Sequence, residues 1–177
     1  MILSIKAGKT KVDEREWRKM KRNLTRGQQL AVNVGWLDGR VHSGERNTQN
    51  VTVAQIAKWL EEGHMNGGMG QGTFTMSRPF IRQGFMHIIK NTSWLQTHIS
   101  FAFPSIAGGR QSWTTFNNHL GKSAVELMKQ TMDVWSIPPN TERTVELKGF
   151  NNPLIETGET RESIGYKLAK KEAGGND

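Results

Sequence analysis

An α+β domain is the fold class this sequence predicts, with a small antiparallel or mixed sheet and three to four helices packed on one face. Three observations predict it. Short segments with apolar residues at every second position lie near both ends of the chain, at Ala31–Leu37 and again at Ile164, Tyr166 and Leu168. Between them, segments with apolar residues three and four apart read as amphipathic helices. The 177 residues suit one ordinary domain, 1–177, long enough to bury a core.

Taken in order, Leu3 and Ile5 suggest a first strand ended by Gly8. Asp13 is placed to cap a helix running to about Gln28, with Trp17, Met20 and Leu24 forming its apolar stripe and Arg15, Arg18, Lys19, Lys21 and Arg22 on the other faces. Residues 1–28 thus form a basic N-terminal strand and helix. In the next strand Val32, Val34 and Trp36 alternate with Asn33 and Gly35, and Asp38-Gly39 signals a turn. Residues 39–50 are polar and read as an exposed loop. Thr52 caps a helix from Val53 to Glu62, with Val53, Ile56, Ala57 and Leu60 at helical spacing and Gly63 as its stop.

Residues 63–77 carry five glycines and three methionines and read as an extended, flexible loop. Arg78-Pro79 opens a helix reaching about Thr97, with Ile81, Phe85, Ile88 and Ile89 on the buried side and Gly84 in its middle at some expense. Residues 100–118 hold Pro104 and Gly108-Gly109 among Phe101, Phe103, Trp113 and Phe116. They read as a second extended loop: an inserted hairpin, a partner-contact arm, or a surface loop whose aromatics fold back on the core. As a contact arm, Trp113 and Phe116 would be replaceable by Ala without loss of the fold. Leu120, Ala124, Leu127, Thr131 and Val134 mark an amphipathic helix ended by Pro138-Pro139, and Thr141–Lys148 a further turn or two. Residues 169–177 read as a flexible tail.

Composition narrows the function. There is no cysteine, which removes disulfides and thiolate metal sites. The net charge of +8 is concentrated at the start: residues 1–26 hold nine Lys/Arg against three Asp/Glu, and the rest 15 against 13. The basic helix either contacts phosphate or is a solvated face. No recognition element with base-reading side chains is evident, so any nucleic-acid contact is non-specific. No stretch approaches the ~20 apolar residues of a membrane span, and a soluble, cytoplasmically made chain is expected.

Catalytic signatures fail one by one. Gly121-Lys122-Ser123 resembles the end of a phosphate-binding loop, but position 116 is Phe where the loop needs Gly; Gly8-Lys9-Thr10 fails likewise with Leu3. Gly68-Met69-Gly70-Gln71-Gly72 lacks dinucleotide spacing. The five histidines include no pair at i, i+4, and Glu61, Glu62 and His64 make only a weak metal cluster after a helix. No catalytic residue, cofactor or metal is therefore expected.

Three segments carry a family resemblance. Asn152-Pro153-Leu154-Ile155-Glu156-Thr157-Gly158-Glu159-Thr160-Arg161-Glu162-Ser163-Ile164 is similar to the "P-L-[ID]-x-T-G-x-L-x-x-S-I" signature of the tail-completion or minor tail proteins of the tailed-phage neck. Val53–Gly63 resembles that family's "V-A-x-x-x-E-x-G", and Met76–Arg82 its "[IM]-P-x-R-P-F-[LI]-R". Ser77 replaces the usual first Pro, and Thr160 stands where an apolar residue is usual.

The resemblance implies a non-catalytic virion protein that completes the tail and joins it to the head. It implies a homo-oligomeric ring, expected as a hexamer, whose neighbours are the tail terminator or tube and the head connector. Arg78, Pro79, Phe80, Pro153, Leu154, Thr157, Gly158, Ser163 and Ile164 would be scaffold determinants. Phe101, Phe103, Trp113 and Phe116 would be interface anchors. Arg15, Arg18, Lys19, Lys21 and Arg22 would face genomic DNA in the lumen. The alternatives are a tail terminator capping the tube and, from a different class, a free basic DNA-binding protein.

Overall fold

The computed structural model describes residues 13–27, 30–44, 50–66, 73–90 and 92–170. The strand expected at Leu3 and Ile5, the glycine runs at 8 and 68–72, and the tail beyond 170 lie outside these residues. The described elements are helix α1 (Glu14–Arg26), strand β1 (Leu30–Gly35), α2 (Val53–Glu62), β2 (His64–Asn66), β3 (Thr73–Thr75), α3 (Phe80–Lys90), α4 (Thr92–Ala107), α5 (Trp113–Asp133), α6 (Glu142–Lys148), α7 (Glu159–Glu162) and β4 (Gly165–Lys170). This is a small α+β fold with two antiparallel two-stranded sheets, β1–β4 and β2–β3.

The two alternating segments pair with each other. Val32 lies opposite Leu168 and Val34 opposite Tyr166, so these apolar side chains share one face of the sheet. Helix α5 crosses that face and α3 packs on α5. Both contacts use glycine for close approach. A Cβ at Gly121 would run into the Tyr166 ring, and one at Gly84 into the Met128 sulfur. The glycine inside α3 is thus what lets two helices meet there.

One core cluster joins Ala57, Phe80, Met128, Met132, Leu154 and Ile164, with Val34, Trp36, Leu60 and Trp135 packed around it. Phe80 stands edge-on to both Trp36 and Trp135, with centroids 5.9 and 6.4 Å away, a favoured arrangement of ring quadrupoles. A second cluster, Ala102, Ile106 and Phe116 with Leu24, Trp113 and Leu120, lies where α1, α4 and α5 meet.

The local signals act as expected at several ends. Asp13 accepts hydrogen bonds from the Arg15 and Glu16 amides. Thr52 and Gln55 make a reciprocal capping box on α2. Thr141, not singled out as a cap from the sequence, also caps α6 by accepting from the Thr144 amide.

Three expectations are corrected. The loop at 63–77 is in part a hairpin, β2 with β3, where Met65 faces Phe74 across the ladder; strands of three residues are too short for an alternation to be legible. The loop at 100–118 does not exist as such: α4 runs through Phe101 and Phe103 to Ala107, and α5 begins at Trp113 with Ser112 as its cap. Pro104 falls in the closing turns of α4, where it removes one intrahelical bond, and Gly108-Gly109 makes the turn between α4 and α5. The buried stripe of α5 also differs. Phe116, Asn117, Gly121, Ala124, Met128, Thr131 and Met132 face inward, and Val134 is exposed.

Candidate functional site

The segments that carry the resemblance come together. Phe80, Leu154 and Ile164 share the first core cluster with Ala57 of α2. Asn152 organises the turn between them. Its carbonyl oxygen accepts from the Leu154 and Ile155 amides at 2.9 and 3.1 Å. Its amide nitrogen donates to the Met132 and Asp133 carbonyls at 2.9 and 3.0 Å, satisfying the end of α5. Pro153 is buried beside it. Gly158, at φ +82°, reverses the chain into α7, and the Thr157 hydroxyl accepts from the Glu159 amide. The buried Ser163 hydroxyl donates to the Glu159 carbonyl at 2.7 Å. Thr160 contributes its backbone: its carbonyl accepts from the Trp36 indole at 2.7 Å.

Charged groups lock α7 to α5. Arg161 forks onto Asp133 at 2.6 and 2.8 Å and also bonds Glu162, while Lys129 reaches Glu162 at 2.8 Å. The Arg161 fork holds the Asp133 carboxyl below its ordinary range, and Asp133 in turn holds the Arg161 guanidinium more firmly protonated. Lys129, then Arg161, lowers Glu162. For Glu159, burial pushes upward, but hydrogen bonds from Ser43 and His42 outweigh it and the carboxyl is lowered. That contact ties the 38–44 segment to α7.

Arg78 and Pro79 stand just before α3. The Arg78 amide donates to the Leu60 carbonyl at 2.8 Å. Glu61, considered above as a metal ligand, instead accepts from the Ile81 and Arg82 amides at 2.7 and 3.1 Å and so caps α3. His64 stacks on Trp59. The Glu61 cap was not legible, since it acts across twenty residues.

The four aromatic candidates divide. Phe101 is 80% and Phe103 45% exposed on α4. Trp113 and Phe116 are not anchors on a free arm. They sit edge to face at 5.7 Å in the second cluster, and the Trp113 indole donates to the Asn23 carbonyl at 2.6 Å. Their place is to hold α1 on the body, because the first turn of α5 faces α1 and α4.

The basic residues sit as the periodicity implies. Helix α1 contains no buried residue. Met20, Asn23 and Leu24 turn toward α4 and the second cluster, and Asn23 donates to the Ala107 carbonyl. At 100° per residue, Arg15, Arg18 and Arg22 fall on the opposite face, while Lys19 lies at the flank beside Gly109 and Arg26 lines a groove with Asn23. Arg18 pairs with Glu14 at 3.1 Å and Lys19 with Glu16 at 3.9 Å, both well exposed. Lys21 lies 4.9 Å over the Trp17 ring. Arg15, Arg18, Lys21 and Arg22 line one shallow groove.

Among the described residues no helix is long and apolar enough to cross a membrane. No protein-family model, curated protein or solved structure matches the chain.

Proposed function

We propose that this protein is a structural component of a tailed-phage virion, completing the tail at the neck and joining it to the head. The carrying observation is the set of three segments, Val53–Gly63, Met76–Arg82 and Asn152–Ile164. They resemble one family in order, and they supply Ala57, Phe80, Leu154 and Ile164 to a single core. In this reading the protein is a non-catalytic ring subunit. Its subunit contacts use apolar side chains that the isolated chain leaves outside: Phe101 on α4, and Met65, Phe74 and Met76 at the β2–β3 hairpin, each more than 60% exposed. Exposed apolar groups clustered on an element mark interaction sites, and a two-stranded hairpin is marginal until something packs on it. The basic face of α1 then lines a lumen for DNA.

The test is composition. Purified particles of the phage carrying this gene should contain the protein, with immunogold label at the head–tail junction. Particles free of it would overturn the reading.

The α1 face also supports a second reading, a free protein that binds nucleic acid without sequence preference. That reading expects duplex binding by the purified chain, falling steeply with salt, and absence from particles.

A further inference from the structure

Four buried side-chain nitrogen atoms lack a hydrogen-bond partner among the described residues, and three of them, His64 Nδ1, Arg78 Nε and Asn140 Nδ2, belong to residues that line one cleft of about 530 Å³. The arrangement is unusual because buried donors are nearly always satisfied. The cleft lies between α2, the start of α3, α6 and the turn 153–160, with Leu60 in its wall. Among the described residues Arg78 reaches no carboxylate: it has no ion pair within 4.0 Å and no side-chain hydrogen bond. Partial burial lowers its pKa.

The charges around it set what fits. Lys148 also lines the cleft, donating to the Asn152 carbonyl at 2.8 Å, and it feels both Arg78 and Glu156. Glu159 is engaged by His42 and Ser43. Arg78, Lys148, Glu156 and Glu159 all line the cleft, so its formal charges already cancel, but neither carboxylate pairs with the Arg78 guanidinium, and Asn140 adds an unpaired amide donor to the same lining. A phosphate dianion would bring two more negative charges toward Glu156 and Glu159, whereas a carboxylate brings one and matches the guanidinium fork in a plane.

We infer that this cleft is a carboxylate-binding site, with Arg78 as the anchor and Asn140 as a second donor. The carboxylate comes either from a free small acid or from an Asp or Glu side chain of a second copy of the chain. The inference does not depend on the virion reading.

The experiment is nuclear magnetic resonance of the full chain labelled with ¹⁵N-arginine, following the Arg78 Nε–H signal. Sodium acetate should move that signal saturably, while sodium chloride at matched ionic strength should not. Arg78→Lys keeps the charge but loses the fork, and should weaken acetate binding on the order of tenfold; Arg78→Gln should abolish the acetate response of the Asn140 and Lys148 amides. Dilution without added anion separates the sources. A signal that starts at the acetate-bound position and moves away on dilution identifies a second copy as the donor; one indifferent to dilution identifies a free acid. Equal responses to acetate and chloride would mean the donors are only hydrated and would overturn the inference. So would tighter saturation by inorganic phosphate than by acetate. Should Arg78→Gln fail to fold, the wild-type titrations decide alone.

Discussion

Two regions of this molecule are held together in different ways. The body formed by α2, α3, α5, α7 and β1–β4 has a closed aromatic and aliphatic core, and its C-terminal turn is tied by directed bonds: Asn152 to the end of α5, Arg161 to Asp133, Trp36 to the Thr160 carbonyl. The outer unit of α1 and α4 has two buried side chains among the described residues, Ala102 and Ile106, which pack on Phe116 of α5, and the bond from Trp113 to Asn23. Its outward faces are basic on α1 and aromatic on α4. Residues resembling a family signature form the core of the body, while those available to a partner lie on the outer unit and on the β2–β3 hairpin at the body's edge. The scaffold and the contact surface are thus separable, and substitutions in the two regions should read out differently.

The largest expected effect is in the body. Phe80→Ala empties a site that is 0% exposed between two tryptophans and should destabilise by about 3–5 kcal/mol, measured by chemical denaturation. Phe101→Ala, 80% exposed, should stay within about 0.5 kcal/mol. Similar values for the two would erase the distinction between core and surface aromatics.

Next, Phe116→Ala should cost roughly 3–5 kcal/mol, correcting the expectation that this residue is dispensable for folding. Trp113→Ala should act more locally. It removes the indole that holds Asn23, so amide exchange should quicken across α1 while the β1–β4 amides keep their protection. Uniform quickening would show that α1 and the body open as one unit.

A smaller effect is expected from Asp133→Asn. Because Arg161 lowers the folded-state pKa of Asp133, the stabilisation is complete above the unfolded value near 4 and fades as pH falls through the lowered one. The pair is partly exposed, with side-chain exposures of 25% and 40%, so it should be worth only about 1 kcal/mol. The variant should lose that amount at neutral pH and match wild type in acid. A deficit that persists in acid would assign the effect to packing.

The smallest effect on stability should come from replacing Arg15, Arg18, Lys19 and Arg22 by Gln, within about 0.5 kcal/mol. The same variant should bind duplex DNA with a log–log salt slope shallower by as much as ~3–4. An unchanged slope would remove α1 as the phosphate-facing element.

Much of the body was legible because its signals are local. Thr52 precedes the helix it caps, as Asp13 does in the outer unit, and Tyr166 and Leu168 alternate because one face of β4 is covered by α5. The outer unit was misread where one residue outweighed a pattern. Ala102 and Ile106 recur four apart and are both buried, yet Pro104 between them, with Gly108-Gly109 after it, argued for a loop. A proline near the end of a helix forfeits only one bond, and the packing of α4 on α1 compensates for it. The Arg78 cleft was beyond reach for another reason. Its unpaired nitrogens, at positions 64, 78 and 140, meet only through tertiary contact, and what marks them is a missing partner.

The most direct test of the account is electron microscopy of particles from an infection in which this gene carries an early stop codon. Full heads beside unattached tails of normal length are the predicted result. Tails of uncontrolled length would move the role to the tail terminator. Normal, infectious virions would contradict the virion reading and leave nucleic-acid binding by the basic face of α1 as the better explanation.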